Sequence, residues 1–320
     1  MQRDEVLTPR RPWPTGRQVT VVMTVGLVLG LVGGGWLSLQ RVLPGSGGFA
    51  LGLWSAVLLG IGILVFAGGL GAYVMAPGFQ GGGAAWRDVG SHRLVVMSTM
   101  LIAVLSSLGP LLYALLRSGS AFAGADGGIC SVGGFLTAAL SVDAALLGVT
   151  YFRFIRPRVI TAADLGLAPP RLGRDARIGL LVGVVALGMN VGINALLDRF
   201  GIRQTQLQDL SCVRGFPALG FLAIVLAGGL IAPIAEELFF RGFVFRSYLR
   251  TRGPLVAYAI SSLAFATLHL NLPAVPAIIA LALMFAWIYQ RTGSIVPNVV
   301  GHALNNSVAF MALYFAGSMP

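Results

Sequence analysis

The sequence predicts an all-α protein, a polytopic transmembrane helix bundle of about eight to nine spans. Two observations predict it. First, the 320-residue chain is 56% hydrophobic and only 10% charged, where a soluble domain carries about 25% charged residues. Second, apolar runs of at least about 17 residues, long enough to cross a bilayer, recur along the chain. Lipid offers the backbone no hydrogen bonds, so spans that are not closed barrels must be helices.

Nine runs qualify: 19–38, 50–75, 94–116, 130–152, 177–197, 217–248, 255–270, 274–290 and 295–316. The first follows a basic segment, as a signal peptide would. Its apolar core is too long and no small-residue cleavage site follows, so it reads as a retained helix. The sixth is long enough for one kinked helix, with Pro233 as the kink. The seventh and eighth are short, close to the minimum for crossing. The 153–177 stretch, with Pro157, Pro169 and Pro170, reads as a linker. The expected organisation is a cytoplasmic segment (1–18), accessory transmembrane helices (19–152), a basic linker (153–176) and a core (177–320).

The net charge is +11, and all 22 basic residues are arginine. No compact basic domain with interleaved aromatics is present, which argues against nucleic acid as a partner. The arginines instead flank apolar runs, as topology signals and lipid-headgroup contacts do. Those before span 1, between spans 2 and 3, between spans 4 and 5, and after spans 6 and 8 all fall on one side. That asymmetry predicts a plasma-membrane protein with a cytoplasmic N-terminus. Cys130 and Cys212 both fall near the outer side. A disulfide is compatible with an oxidising exterior, but the sequence alone favours two unpaired thiols. Gly26–Gly30–Gly34 and Gly188–Gly192 have spacings that suit close helix packing.

The polar residues inside the spans carry the functional reading. "APIAEELFFRG" (232–242) places Glu236, Glu237 and Arg241 in an otherwise apolar span. Each charge at the bilayer centre costs about 2.5–3.5 kcal/mol. Glu237 and Arg241 are four apart, share a helix face and can pair. Glu236 is rotated away, left without that partner, and is a candidate general base. His269 ends "FATLHL" with Phe265 one turn earlier, and His302 opens "HALNN" with Asn306 one turn later. Asn305 is expected to point elsewhere, and His92 to sit in a solvated loop. For His269 to meet His302, the 270–274 connection must lie below the outer surface. Asp143, Asn190 and Asn194 read as packing or cavity-lining groups.

"EELFFR", "FATLH" and "HALNN" fit EExxxR, FxxxH and HxxxN motifs, in that order, over about 75 residues. This set resembles the CPBP (Abi) family of intramembrane proteases, which includes the type II CAAX prenyl endopeptidases and proteins tied to bacteriocin processing or immunity. The resemblance covers about 217–316. It implies that Glu236 activates water with His269 helping to hold it. His302 and Asn306 would donate to the oxyanion, while Glu237 and Arg241 shape the site. The implied partner is a membrane-tethered protein or peptide substrate, within the lipid bilayer.

The expected reaction needs no cofactor. A zinc-dependent version, with Glu236, His269 and His302 as ligands, is the alternative. No HExxH is present, and asparagine is a poor zinc ligand. A non-enzymatic scaffold or immunity protein is a further alternative. A proton-relaying transporter built on Glu236 and Asp143 ranks lower, since the two halves hold no matched pair of broken helices.

Overall fold

The computed structural model describes residues 21–26, 28–29, 32, 49–74, 92–118, 131–156, 160–167, 171–201, 210–269 and 274–315. They form helices joined by turns, with no strand among them. The chain is an integral membrane helix bundle. Five described helices are long and apolar enough to cross a membrane.

The chain divides into two compact units, Met1–Gly81 and Gly82–Pro320. In the first, residues 21–26 are helical and α1 spans Phe49–Val74. Gly26 lies so close to α1 that an added methyl would stand 2.4 Å from the Phe66 nitrogen. Gly30 and Gly34 lie outside the described residues.

The second unit carries the polar residues. Its elements are α2 (His92–Ser118), α3 (Val132–Thr150), α4 (Leu172–Arg199) and a long helix α5 (Ala218–Thr251). After these come α6 (Pro254–Leu268), α7 (Val275–Thr292) and α8 (Val296–Phe315). His92, expected in a loop, opens α2. Ser131 caps α3, its hydroxyl accepting from the Gly134 N–H at 3.0 Å.

Pro233 does not break α5. The helix widens into a π turn at Ala227–Ile231, tightens over Ala232–Glu237, and widens again at Leu238–Phe245. The Ala232 N–H reaches back five residues, to the Ala227 carbonyl. Proline has no N–H to give and its ring crowds the preceding turn. A wide turn just ahead of it absorbs both defects. Such π turns gather at functional sites, and these two bracket the glutamates.

Glycines set how closely α4 and α8 approach. A methyl on Gly179 would stand 2.6 Å from Val300 Cβ and 2.8 Å from the Pro297 carbonyl. One on Gly301 would stand 3.0 Å from the Gly179 carbonyl. The packing motif of α4 is therefore Gly179–Gly183. At Gly188 and Gly192 an added methyl would meet nothing within 4 Å. The rest of α4 presents Leu180, Leu181, Val184 and Val185 outward, each more than half exposed, as a lipid-facing surface.

One end of the unit is closed by residues 160–167. Thr161 and Asp164 bond reciprocally: the Thr161 N–H and hydroxyl donate to Asp164 Oδ2 at 3.0 and 2.7 Å, and the Asp164 N–H donates to the Thr161 hydroxyl at 3.1 Å. Partial burial alone would raise the Asp164 carboxyl. Those bonds and the Arg246 and Arg250 charges outweigh it and hold the carboxyl below the ordinary range. Arg246 donates to the Asp164 carbonyl and to the Tyr289 hydroxyl at 3.3 Å. Gly166, at φ +82°, lies 2.9 Å from the Gly293 carbonyl measured from where a Cβ would stand. A side chain there would be strained by backbone and neighbour alike.

Cys212 is disulfide-bonded, and no described cysteine is free. The expectation of unpaired thiols is therefore corrected. The chain's other cysteine, Cys130, lies outside the described residues. The sequence could not supply this because a disulfide depends on distance, not on spacing.

Replacing Gly179 with leucine should prevent α4 from seating on α8 and cost about 1–3 kcal/mol. Gly188→Leu, in open space, should stay within about 0.5 kcal/mol of the parent. Thermal unfolding of the two variants in detergent checks both.

Candidate active site

The site is built around a buried ion pair on α5. Glu237 and Arg241 are both fully buried, with Arg241 Nη1 2.9 Å from Glu237 Oε1. The guanidinium lies 4.4 Å from the centre of the Phe265 ring and 5.4 Å from that of Phe285. Aromatic faces attract a desolvated cation, so α6 and α7 close over the charge from two sides.

Glu237 does more than pair with Arg241. Asn298 Nδ2 donates to Glu237 Oε2 at 3.1 Å and lies 2.7 Å from the Phe285 carbonyl. His302 Nδ1 donates to Glu237 Oε1 at 3.1 Å. A carboxylate only accepts hydrogen bonds, so this contact fixes the proton on Nδ1 and turns Nε2 the other way. Nε2 faces Glu236, 3.7 Å from Oε2. That oxygen is buried and makes no hydrogen bond. The two adjacent glutamates thus grip opposite edges of one imidazole.

His269 caps the end of α6. Its Nδ1 lies 3.0 Å from the Phe265 carbonyl, which also fixes the proton there and leaves Nε2 free to accept. The Phe265 ring centre is 5.0 Å from that of His269 and 5.9 Å from that of His302. Both imidazoles line one cavity of about 360 Å³. The expected convergence of His269 and His302 is met. The connection at 270–273 lies outside the described residues. Asn306 lines the same cavity and donates from Nδ2 to the Gly228 carbonyl at 3.2 Å.

Three residues read differently in three dimensions. Asn305 does not point elsewhere: it lines the cavity, accepts from Asn190 Nδ2 at 2.7 Å and donates to Asn306 Oδ1 at 3.2 Å. Asp143 is 2% exposed, its Oδ2 makes no hydrogen bond, and its carboxyl feels the charge of Glu236. Asn298 was missed altogether. The signal was present, because Asn298, His302 and Asn306 repeat every four residues and share a helix face.

Among the described residues, no three His, Cys, Asp or Glu side chains stand together in a way that could hold a metal ion.

The run from α5 to α8 also holds the stretch that a known family matches. Residues 218–308 match the family model described as type II CAAX prenyl endopeptidase Rce1-like. This stretch resembles that family. Two curated relatives are similar to parts of this chain. One is the UPF0177 protein YxdF of Lactococcus lactis subsp. lactis (strain IL1403), 28% identical over 134 residues, covering 41% of this chain and 73% of the relative. The other is the uncharacterized protein YyaK of Bacillus subtilis (strain 168), 34% identical over 110 residues, covering 31% of this chain and 37% of the relative. No solved structure matches. At family level, the matched stretch is similar to CAAX-type membrane proteases.

Removing one partner of a buried ion pair costs about 3–5 kcal/mol, because the other charge stays behind unpaired. Arg241→Ala should therefore accumulate poorly and unfold early in detergent. Glu236→Gln, which removes a charge from an oxygen without a partner, should unfold within about 1 kcal/mol of the parent.

Proposed function

We propose that the chain is an intramembrane endopeptidase that hydrolyses a peptide bond of a membrane-tethered protein or peptide by glutamate-activated water. The observation that carries this reading is the approach of Glu236 Oε2 to within 3.7 Å of His302 Nε2, with His302, His269 and Asn306 lining one cavity.

In this reading Glu236 takes a proton from water and the hydroxide adds to the scissile carbonyl carbon. His269, protonated on Nδ1, accepts from the water through Nε2 and orients it. The oxyanion receives hydrogen bonds from Asn306 and His302. Asn306 has two N–H donors and uses one on Gly228, which leaves the second for the substrate. His302 holds one proton on Nδ1 for Glu237, so donation from Nε2 requires a second. Glu236 then passes its proton to the departing amine, and the C–N bond breaks. Donors placed where charge develops, in a site shielded from bulk water, supply the largest share of such rate enhancements.

Support for the metal-free form is that no three His, Cys, Asp or Glu side chains among the described residues stand together as metal ligands. A cytoplasmic N-terminus in the plasma membrane is proposed from the arginine asymmetry. The disulfide at Cys212 supports it, since disulfides persist on oxidising faces. Both CAAX-type processing and bacteriocin-related cleavage fit this chemistry.

Glu236→Gln should abolish cleavage of membrane-tethered peptides by the purified protein while the variant still accumulates in the membrane. Asn306→Ala should lower kcat by about 10²–10³. Activity should survive chelation. Cleavage by the Glu236→Gln form would remove the catalytic assignment. Loss on chelation with recovery on adding zinc would replace the metal-free reading.

A further inference from the structure

Four asparagines stand in a row along one cavity. Asn190 and Asn194 lie one turn apart on α4, and Asn305 and Asn306 are adjacent on α8. All four line the cavity beside His269 and His302. Hydrogen bonds link three of them in series: Asn190 to Asn305 at 2.7 Å, Asn305 to Asn306 at 3.2 Å, then Asn306 to the Gly228 carbonyl at 3.2 Å. The fourth stands out. Asn194 Oδ1 is buried and makes no hydrogen bond.

Asparagines between membrane helices often serve as glue. Glue accounts for Asn190 and Asn305, whose amides meet. It does not account for Asn194, whose buried acceptor lacks a partner. Leaving such an atom unmade costs about 1–3 kcal/mol. The atom borders a cavity, so a ligand can satisfy it.

The chemistry of the lining names the ligand. No Asp, Glu, Lys or Arg lines the cavity; its walls are side chains such as Leu187, Val191, Ile278 and Leu281. A charged ligand would lose its hydration and find no counter-charge. A peptide backbone is neutral yet polar, and every N–H and C=O it brings into an apolar space must be paired. A side-chain amide is a peptide group in miniature, with one acceptor and two donors. The volume, about 360 Å³, lies at the small end for ligand sites and suits a short segment.

We propose that the asparagine row is a backbone-reading strip that binds an extended, uncharged, apolar peptide segment, with Asn194 Oδ1 accepting a hydrogen bond from a substrate N–H. This rests on the peptidase reading and adds the class of segment taken. The strip selects by backbone and by lack of charge, while side chains lie against the hydrocarbon walls.

The test uses the full chain in lipid nanodiscs, carrying Glu236→Gln so that nothing is cleaved. The probe is a fluorescent, palmitoylated hexapeptide of Ala, Val and Leu. Adding Asn194→Leu should weaken binding about tenfold, the worth of one hydrogen bond, without lowering the melting temperature. Adding Val185→Ala, on the lipid-facing side of α4, should change nothing. Probes with one amide at a time replaced by an ester, which lacks the N–H donor, identify the contact. At one position the ester should weaken binding to the Asn194 protein and make no difference to the Asn194→Leu protein. A lysine or aspartate in the probe should abolish binding. Equal binding by the two proteins, or ester penalties that are the same in both, would overturn the proposal. Binding is read separately from cleavage. Asn194-dependent binding without Glu236-dependent cleavage by the parent would retain the strip and remove the peptidase. Cleavage without Asn194 dependence would do the reverse.

Discussion

The buried pair of Glu237 and Arg241 is the constraint on which the rest of the second unit depends. Two full charges in an apolar bundle are tolerable only if each is paired and hydrogen-bonded. That demand shapes the neighbours, although Arg241 Nε and Nη1 make no hydrogen bond. Phe265 and Phe285 shield the guanidinium. Asn298 and His302 each donate a hydrogen bond to the carboxylate, one to each oxygen. These partners come from α6, α7 and α8, so one ion pair on α5 fixes three other helices. It also fixes the proton on His302 and therefore which edge of the ring looks toward Glu236.

The backbone of α5 serves the same end. A regular helix carrying Pro233 would crowd its preceding turn, and the π turn at 227–231 relieves this. The relief brings Gly228 and Gly229 against α8, where added methyls would stand 2.7 Å from Phe310 and 2.6 Å from Ser307. Close approach places the Gly228 carbonyl within reach of Asn306. A proline that looks like a defect in the sequence thus sits next to the device that anchors one site residue.

The α3 helix contributes more than its sequence suggests. Asp143 sits near Glu236 in the interior, each carboxyl with an unpartnered oxygen. Two carboxylates sharing an apolar layer repel unless one of them holds a proton. The surroundings of Glu236 therefore include a residue outside the Rce1-like match.

The sequence by itself determined the helix class, nearly every described helix and the pairing of Glu237 with Arg241. Those are local properties. Length and apolarity define a span, and spacing by four defines a shared face, so Glu237–Arg241 and His302–Asn306 could be read without coordinates. Tertiary structure decided what depends on distance between elements. Gly179 and Gly183, not Gly188 and Gly192, carry the packing, because only a partner helix selects among equal spacings. Asn305 turned inward because Asn190 on α4 was there to meet it. Cys212 formed a disulfide, and Asp143 found Glu236, for the same reason: residues distant along the chain become neighbours only when helices pack.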